Sequence, residues 1–173
     1  MDIIITESIT AETAHRVLQE MLLKRDNEEE PTDIFVYISS RGGELEPGYA
    51  ICEMLKCSGR KVITCGIGEV YSCAVAIFLA GDERYATGRT KFMIHEVRHI
   101  HGDESSLTTK EYEKYLKELQ DDTAKFFKLI CENTKLTPAR IKKYLQKAKD
   151  NDWHFDVNQA KKLGLVTKVG MPF

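Results

Sequence analysis

No run of basic residues interrupts this sequence, and its 25 Lys and Arg against 27 Asp and Glu leave a formal net charge of −2. That balance gives no electrostatic reason to expect nucleic acid or an anionic membrane as partner. A long apolar stretch is missing too: the longest, Ala74 to Ala80, is far too short to span a bilayer. Cysteine is sparse and poorly arranged for metal or redox work. The five (Cys52, Cys57, Cys65, Cys73 and Cys131) include no C-x-x-C pair, which argues against a zinc ribbon or a thioredoxin-like site. Most lie in apolar stretches and read as small buried hydrophobes. With no recognisable signal peptide, a reducing cytoplasm is the expected compartment. Internal repeats, low-complexity tracts and Pro/Gly/Ser linkers are absent as well. What is there is 173 residues of ordinary composition, 42% hydrophobic and 30% charged. That implies a single domain over residues 1–173, long enough to bury a core without disulfides.

Apolar periodicity then divides the chain. Asp2 to Thr6 reads as a short strand. Thr10 is placed to cap a helix whose apolar face is Ala14, Val17, Leu18, Met21 and Leu22. The polar stretch from Arg25 to Asp33 reads as a surface loop. Ile34 to Ile38 is a β-rich run suited to a central strand. After Ser39-Ser40-Arg41-Gly42-Gly43 comes a helix from about Pro47 to Cys57, ended by Gly59. Val62 to Ile67 reads as a strand, and Cys73 to Leu79 as a helix apolar all round and therefore buried. Arg84 to Ala86 and Phe92 to His95 read as strands. Thr108 to Asn133 forms one long amphipathic helix, with Tyr112, Tyr115, Leu116, Leu119, Phe126, Phe127 and Ile130 as its stripe. Its length suggests an arm leaving the core. Thr137-Pro138 starts another helix. Asp156 to Gln159 is a capping box for a short helix ending at Gly164, and Leu165-Val166 begins a last strand. Strands alternating with helices predict an α/β fold with a largely parallel sheet.

Three features carry chemistry, and each has a plainer reading beside it. Gly42-Gly43 follows a strand, where glycine lets a backbone N–H approach a ligand and serve a developing oxyanion. The pair is also ordinary turn punctuation. Ser72 stands at the mouth of the buried helix, where unpaired N–H groups and the dipole favour an anion. It is equally placed as an N-cap. His95 ends an apolar strand, the position of many structural histidines. His99 and His101 share its alternation and suggest a metal face, but no metal motif accompanies them. Downstream, Asp150-Asn151-Asp152 supplies two acids, either of which could orient a base.

Taken in order, these features resemble the ClpP family, the proteolytic subunits of the Clp machines. The residues that carry the likeness are Ser40-Arg41-Gly42-Gly43, Gly68 to Ser72, Met93-Ile94-His95, and Asp152 ahead of Ala160, Gly164, Leu165 and Val166. The likeness runs from about Ile3 to Val169. It implies a ClpP/crotonase-like α/β fold with a handle over about residues 97–133, and a serine endopeptidase acting on peptides and unfolded proteins. It implies Ser72 as nucleophile, His95 as base, Asp152 as orienting acid, and the Gly43 and Cys73 N–H groups as the oxyanion hole. The spacing back from Gly164 favours Asp152 over Asp150. No cofactor or metal is implied. Self-association into rings is, and so is a possible Clp-type ATPase unfoldase as partner.

Several residues depart from the family pattern. Arg41 replaces the usual Pro and Ser39 the usual Asn. Tyr71 replaces a small residue before the nucleophile, which predicts a narrower acyl pocket. Glu96 replaces Gln and makes the local field more negative. Asn151 replaces an arginine that helps couple two rings in the family. Met1 abuts the first strand, so the family's axial segment is expected to be missing and entry of unfolded chains to need no ATP. Two other functions fit the fold class: a non-catalytic or regulatory ring subunit, and a crotonase-like acyl-CoA enzyme. Retention of Ser72, His95 and Asp152 together favours the peptidase, though fold likeness alone does not settle function.

Overall fold

Aliphatic and aromatic residues occupy alternate or successive strand positions, and the sheet they form runs through the core of the protein. The computed structural model describes residues 1–27, 32–98 and 108–173. In chain order the elements are β1 (Asp2–Ile5), α1 (Ala11–Asn27), β2 (Ile34–Ser40), α2 (Leu45–Lys56), β3 (Val62–Tyr71), α3 (Cys73–Leu79), β4 (Glu83–Ala86), β5 (Lys91–Ile94), α4 (Thr109–Glu132), α5 (Pro138–Lys147), β6 (Trp153–Asp156), α6 (Val157–Leu163) and β7 (Lys168–Val169). Among the described residues, β1-β2-β3-β4-β7 make one parallel path, and a branch leaves β3 through β5 to β6. The β3–β5 pairing is parallel, and β5–β6 is antiparallel. This is the expected α/β fold with a largely parallel sheet. The helices and the sheet share one core, in which Ile3, Ile5, Ile34, Val36, Ile38, Ile77, Phe78 and Phe92 are fully buried.

The branch is what positions the site, because an aromatic column fixes it. Phe78 of α3 meets Phe92 of β5 edge-on at 5.3 Å between centroids, and Phe92 stacks on Phe155 of β6 at 5.7 Å. Phe155 lies 4.5 Å from Trp153, which stacks on Tyr144 of α5 at 4.1 Å. Such pairs add about 0.5–1.5 kcal/mol each beyond burial. The column therefore ties α3, β5, β6 and α5 into one unit.

Several boundaries differ from the sequence reading, each for a local reason. Val17 of α1 is fully buried, whereas Leu18 and Leu22 are each 40% exposed. They lie one step around the helix from Val17 and Met21, so they edge the packed face instead of forming it. β3 continues past Ile67 to Tyr71, because beyond Gly66 it changes partner from β4 to β5. β6, absent from the sequence reading, alternates buried Trp153 and Phe155 with exposed His154 and Asp156. Leu165 and Val166 are buried but lie before the last strand. Leu165 N–H returns to the Ala160 carbonyl and Gly164 N–H to Lys161, with Gly164 at φ 84. This left-handed helix exit uses the bonds a strand would need. The Arg84 guanidinium binds the Gly81, Gly164 and Leu165 carbonyls and holds that exit against the sheet.

The predicted caps form: Thr10 Oγ1 accepts from Thr13 N–H at 3.4 Å, Thr137 accepts from Arg140 N–H, and Asp156 accepts from Gln159 N–H at 2.8 Å. Thr108 and Glu111 add a reciprocal box at the start of α4 that the sequence reading did not foresee. The first half of α4 leaves the core as expected. Tyr112 and Leu116 are each 53% exposed, while Phe126, Phe127 and Ile130 anchor the second half. Cys52, Cys65 and Cys73 are buried, as their apolar surroundings predicted, but Cys57 is exposed. No helix among the described residues is long and apolar enough to cross a membrane.

Candidate active site

The corner at Ser72 begins with β3 running directly into α3. Ser72 N–H donates to the Met93 carbonyl at 2.9 Å, so the residue hangs from β5 as well. Its backbone has φ 55 and ψ −130, and its side chain makes no capping hydrogen bond. The N-cap reading therefore fails on both counts, since a cap has extended backbone and a bonded side chain. A non-glycine residue in this region carries about 1–3 kcal/mol of strain, and such strain concentrates at functional sites. A strained strand-to-helix turn of this kind presents a hydroxyl at the tip of a sheet.

The Gly42-Gly43 turn packs on this corner. A Cβ on Gly42 would lie 2.7 Å from Ser72 Cβ and 2.8 Å from the Tyr71 carbonyl oxygen, and φ there is +95. Only glycine fits so close an approach. The turn is fixed from outside: Gly42 N–H donates to Ser40 Oγ, and Ser40 donates to the Glu7 carbonyl at 2.6 Å. Gly43 bridges to Ile9, with Ile9 N–H on the Gly42 carbonyl and Glu44 N–H on the Ile9 carbonyl. Burial pushes the Cys73 thiol up to about 12; the Gly43 N–H, donating toward it, opposes that to a smaller degree. The Cys73 N–H opens α3, where no intrahelical acceptor exists.

β5 links this corner to the other residues of interest. Its register with β6 pairs Lys91 with Asp156 and Ile94 with Trp153. His95 and Asp152 are the next residues beyond that last pair, and the register continued by one step would place them across from each other on one face. Asp150 is out of step, and Asp150 and Asn151 both adopt φ 58. Asn and Asp tolerate this left-handed region better than other side-bearing residues.

Ser72 and His95 line one cleft of about 700 Å³, together with Ile9, Gly43, Leu45, Pro47, Val97, Arg98 and Phe126. Asp152 does not line it. No hydrogen bond among the described residues joins Ser72 to His95 or His95 to Asp152. His95 Nδ1 donates to the Glu96 carbonyl, which fixes the proton on Nδ1 and leaves Nε2 unprotonated in the neutral ring. The Asp152 carboxylate is instead ion-paired with Arg98. Arg98 Nη2 also donates to the Asp150 carbonyl at 2.9 Å.

Arg98 escaped the sequence reading, which stopped at His95 and the alternating histidines beyond it. Nothing in a lone exposed arginine signals its partner; only the chain reversal at β6 does. His99 and His101 lie outside the described residues. Tyr71 does not narrow the cleft. Its ring stands edge-on to His154 at 5.4 Å, and it is not among the residues lining the cleft. Arg41 reaches Glu69 at 2.8 Å. The Glu96 side chain faces a groove between α4 and α5 and not the cleft.

Comparison with known proteins bears on the family and the fold. The family model described as Clp protease matches residues 1–172. The ATP-dependent Clp protease proteolytic subunit 2 of Borreliella burgdorferi is 33% identical over 169 residues, covering 96% of this chain and 81% of that protein. The ATP-dependent Clp protease proteolytic subunit of Bdellovibrio bacteriovorus is 31% identical over 170 residues, covering 96% and 77%. Among solved structures, a ClpP1 mutant from Listeria monocytogenes superposes with a TM-score of 0.82 at 27% identity, covering 98% of this chain and 90% of that one. A family match along nearly the whole sequence, with the same fold to accompany it, leads to one conclusion: the chain belongs to the Clp protease family.

Proposed function

We propose that the protein is a serine endopeptidase subunit that cleaves peptides and unfolded proteins with Ser72, His95 and Asp152. The observation that carries the reading is Ser72 itself, held in strained backbone at a cleft it shares with His95 and given no capping role. In the reaction, His95 Nε2 takes the hydroxyl proton as Ser72 Oγ attacks the peptide carbonyl. Asp152 replaces the Glu96 carbonyl at Nδ1, keeps the same tautomer and stabilises the imidazolium. The Cys73 and Gly43 N–H groups receive the oxyanion, the latter turning from the Cys73 sulfur. His95 then protonates the leaving amine, and water releases the acyl group. Ile9, Leu45, Pro47, Val97 and Phe126 give the cleft an apolar wall suited to an apolar substrate side chain.

The test is a fluorophosphonate probe followed by mass spectrometry. The adduct is expected on the peptide carrying Ser72 and is expected to vanish in Ser72→Ala. Adduct on another serine, under conditions where peptides are cleaved, refutes the assignment.

The subunit is also proposed to self-associate into rings and to work with a Clp-type unfoldase. Exposed Tyr112 and Leu116 on the arm, and Leu18, Leu22 and Leu23 on α1, supply apolar surface beyond what a solvated monomer needs. Light scattering at micromolar concentration is expected to give a mass several times that of one chain. A monomer mass would end the ring proposal.

A further inference from the structure

Asp152 has two candidate partners in this fold, and in this structure Arg98 holds it. The β5–β6 register ends with Ile94 opposite Trp153, and continued by one residue it would set Asp152 opposite His95. Its carboxylate nevertheless pairs with the Arg98 guanidinium, and the Arg98 Nη2 that makes this pair also holds the Asp150 carbonyl. His95 Nδ1, the nitrogen an orienting acid must engage, rests on the Glu96 carbonyl instead. Arg98 lies three residues after His95 on the segment leaving β5. That segment is docked on α4, where Val97 N–H donates to Thr123 Oγ1 at 3.1 Å.

We propose that Arg98 is a positioning residue that competes with His95 for Asp152 and so sets how much of the protein has an assembled triad. The inference rests on the serine-triad reading above. It follows from the donor inventory. A guanidinium is a permanent cation with a fixed fork of donors. An imidazole N–H that already has a backbone acceptor gains less from the same carboxylate. The pair also has the right strength for a switch. Arg98 is half-exposed and Asp152 mostly covered, with side-chain exposures of 51% and 24%. A pair of that kind is neither negligible nor locked, and salt weakens it. Because Arg98 also lines the cleft, a group that engages it there releases Asp152 where the chemistry occurs.

The experiment measures the second-order rate of fluorophosphonate labelling on the full chain. Wild type is compared with Arg98→Gln, Arg98→Lys, Asp152→Asn and Arg98→Gln/Asp152→Asn, with Lys61→Gln as a charge-matched control. Lys61 pairs with Glu83 on another face of the molecule. Arg98→Gln is expected to label about two- to fivefold faster than wild type, the range an ion pair of this exposure can supply. Arg98→Lys should fall between the two, and the control should match wild type. The gain should vanish in the Asp152→Asn background, and it should shrink as sodium chloride is raised, because salt releases the wild-type pair as well. Circular dichroism and light scattering confirm that each variant is folded and assembled as wild type. Equal or slower labelling of a folded Arg98→Gln, or a gain that survives Asp152→Asn, overturns the proposal while the triad reading stands. Adduct found away from Ser72 overturns the reading, and the proposal with it.

Discussion

Around Ser72 the chain is locked, whereas His95 and Arg98, which line the cleft, and Asp152 beside them hang from strand ends. On the first side α3 is buried along its whole length, the Gly42-Gly43 turn is held by Ser40, Glu7 and Ile9, and the serine is strained into place. On the second side, His95 rests on the Glu96 carbonyl and Asp152 on the half-exposed Arg98. In the proposed mechanism a serine fixed at this corner costs little rearrangement at the moment of reaction, whereas a movable acid can be supplied or withheld. The contrast implies that substitutions at the first side act as breaks, and at the second as shifts in an equilibrium.

Ser72→Ala probes the locked side most directly. Loss of at least about 10³-fold in peptide turnover is expected, without loss of folding, because the nucleophile is removed and the packing kept. Full activity in Ser72→Ala would return the crotonase-like reading. On the other side, His95→Ala and Asp152→Asn should each lower turnover by about 10²–10⁴-fold, and the double variant should be little worse than either, since a triad acts as a unit. Asp150→Asn should cost much less. If Asp150→Asn is the damaging change, the register argument from β5 and β6 is wrong.

Gly42→Ala should separate the two sides by stability. The added Cβ meets Ser72 Cβ at 2.7 Å in backbone with φ +95. A loss of about 2–4 kcal/mol in urea unfolding is expected. Ser72→Gly should do the opposite. It relieves the strained backbone and is expected to raise stability by about 1 kcal/mol at an unchanged m-value, net of the entropy glycine adds to the unfolded chain. A loss of stability in Ser72→Gly would mean that the turn stores no strain. The smallest effect is chemical. Iodoacetamide at pH 8 should modify exposed Cys57 first and leave native Cys73 untouched, because burial holds that thiol near 12 and the packing excludes the reagent. Early modification of Cys73 would show that the corner opens.

The sequence by itself determined the alternation of strands and helices, the caps at Thr10 and Asp156, the helix start at Thr137-Pro138, and the buried helix after Ser72. These rest on local physics: apolar period, cap chemistry and glycine placement within a few residues. The order of Ser72, His95 and Asp152 was legible as well, through their resemblance to one family. What only the tertiary structure decided depends on which strand lies beside which. The β5–β6 pairing, the aromatic column from Phe78 to Tyr144 and the ion pair of Arg98 with Asp152 each join residues distant in the chain. That Tyr71 stands against His154 and does not line the cleft follows from its strand position. No local period encodes such choices, because they are made by the packing of whole elements. The candidate residues were therefore open to reading, while their present partners were not.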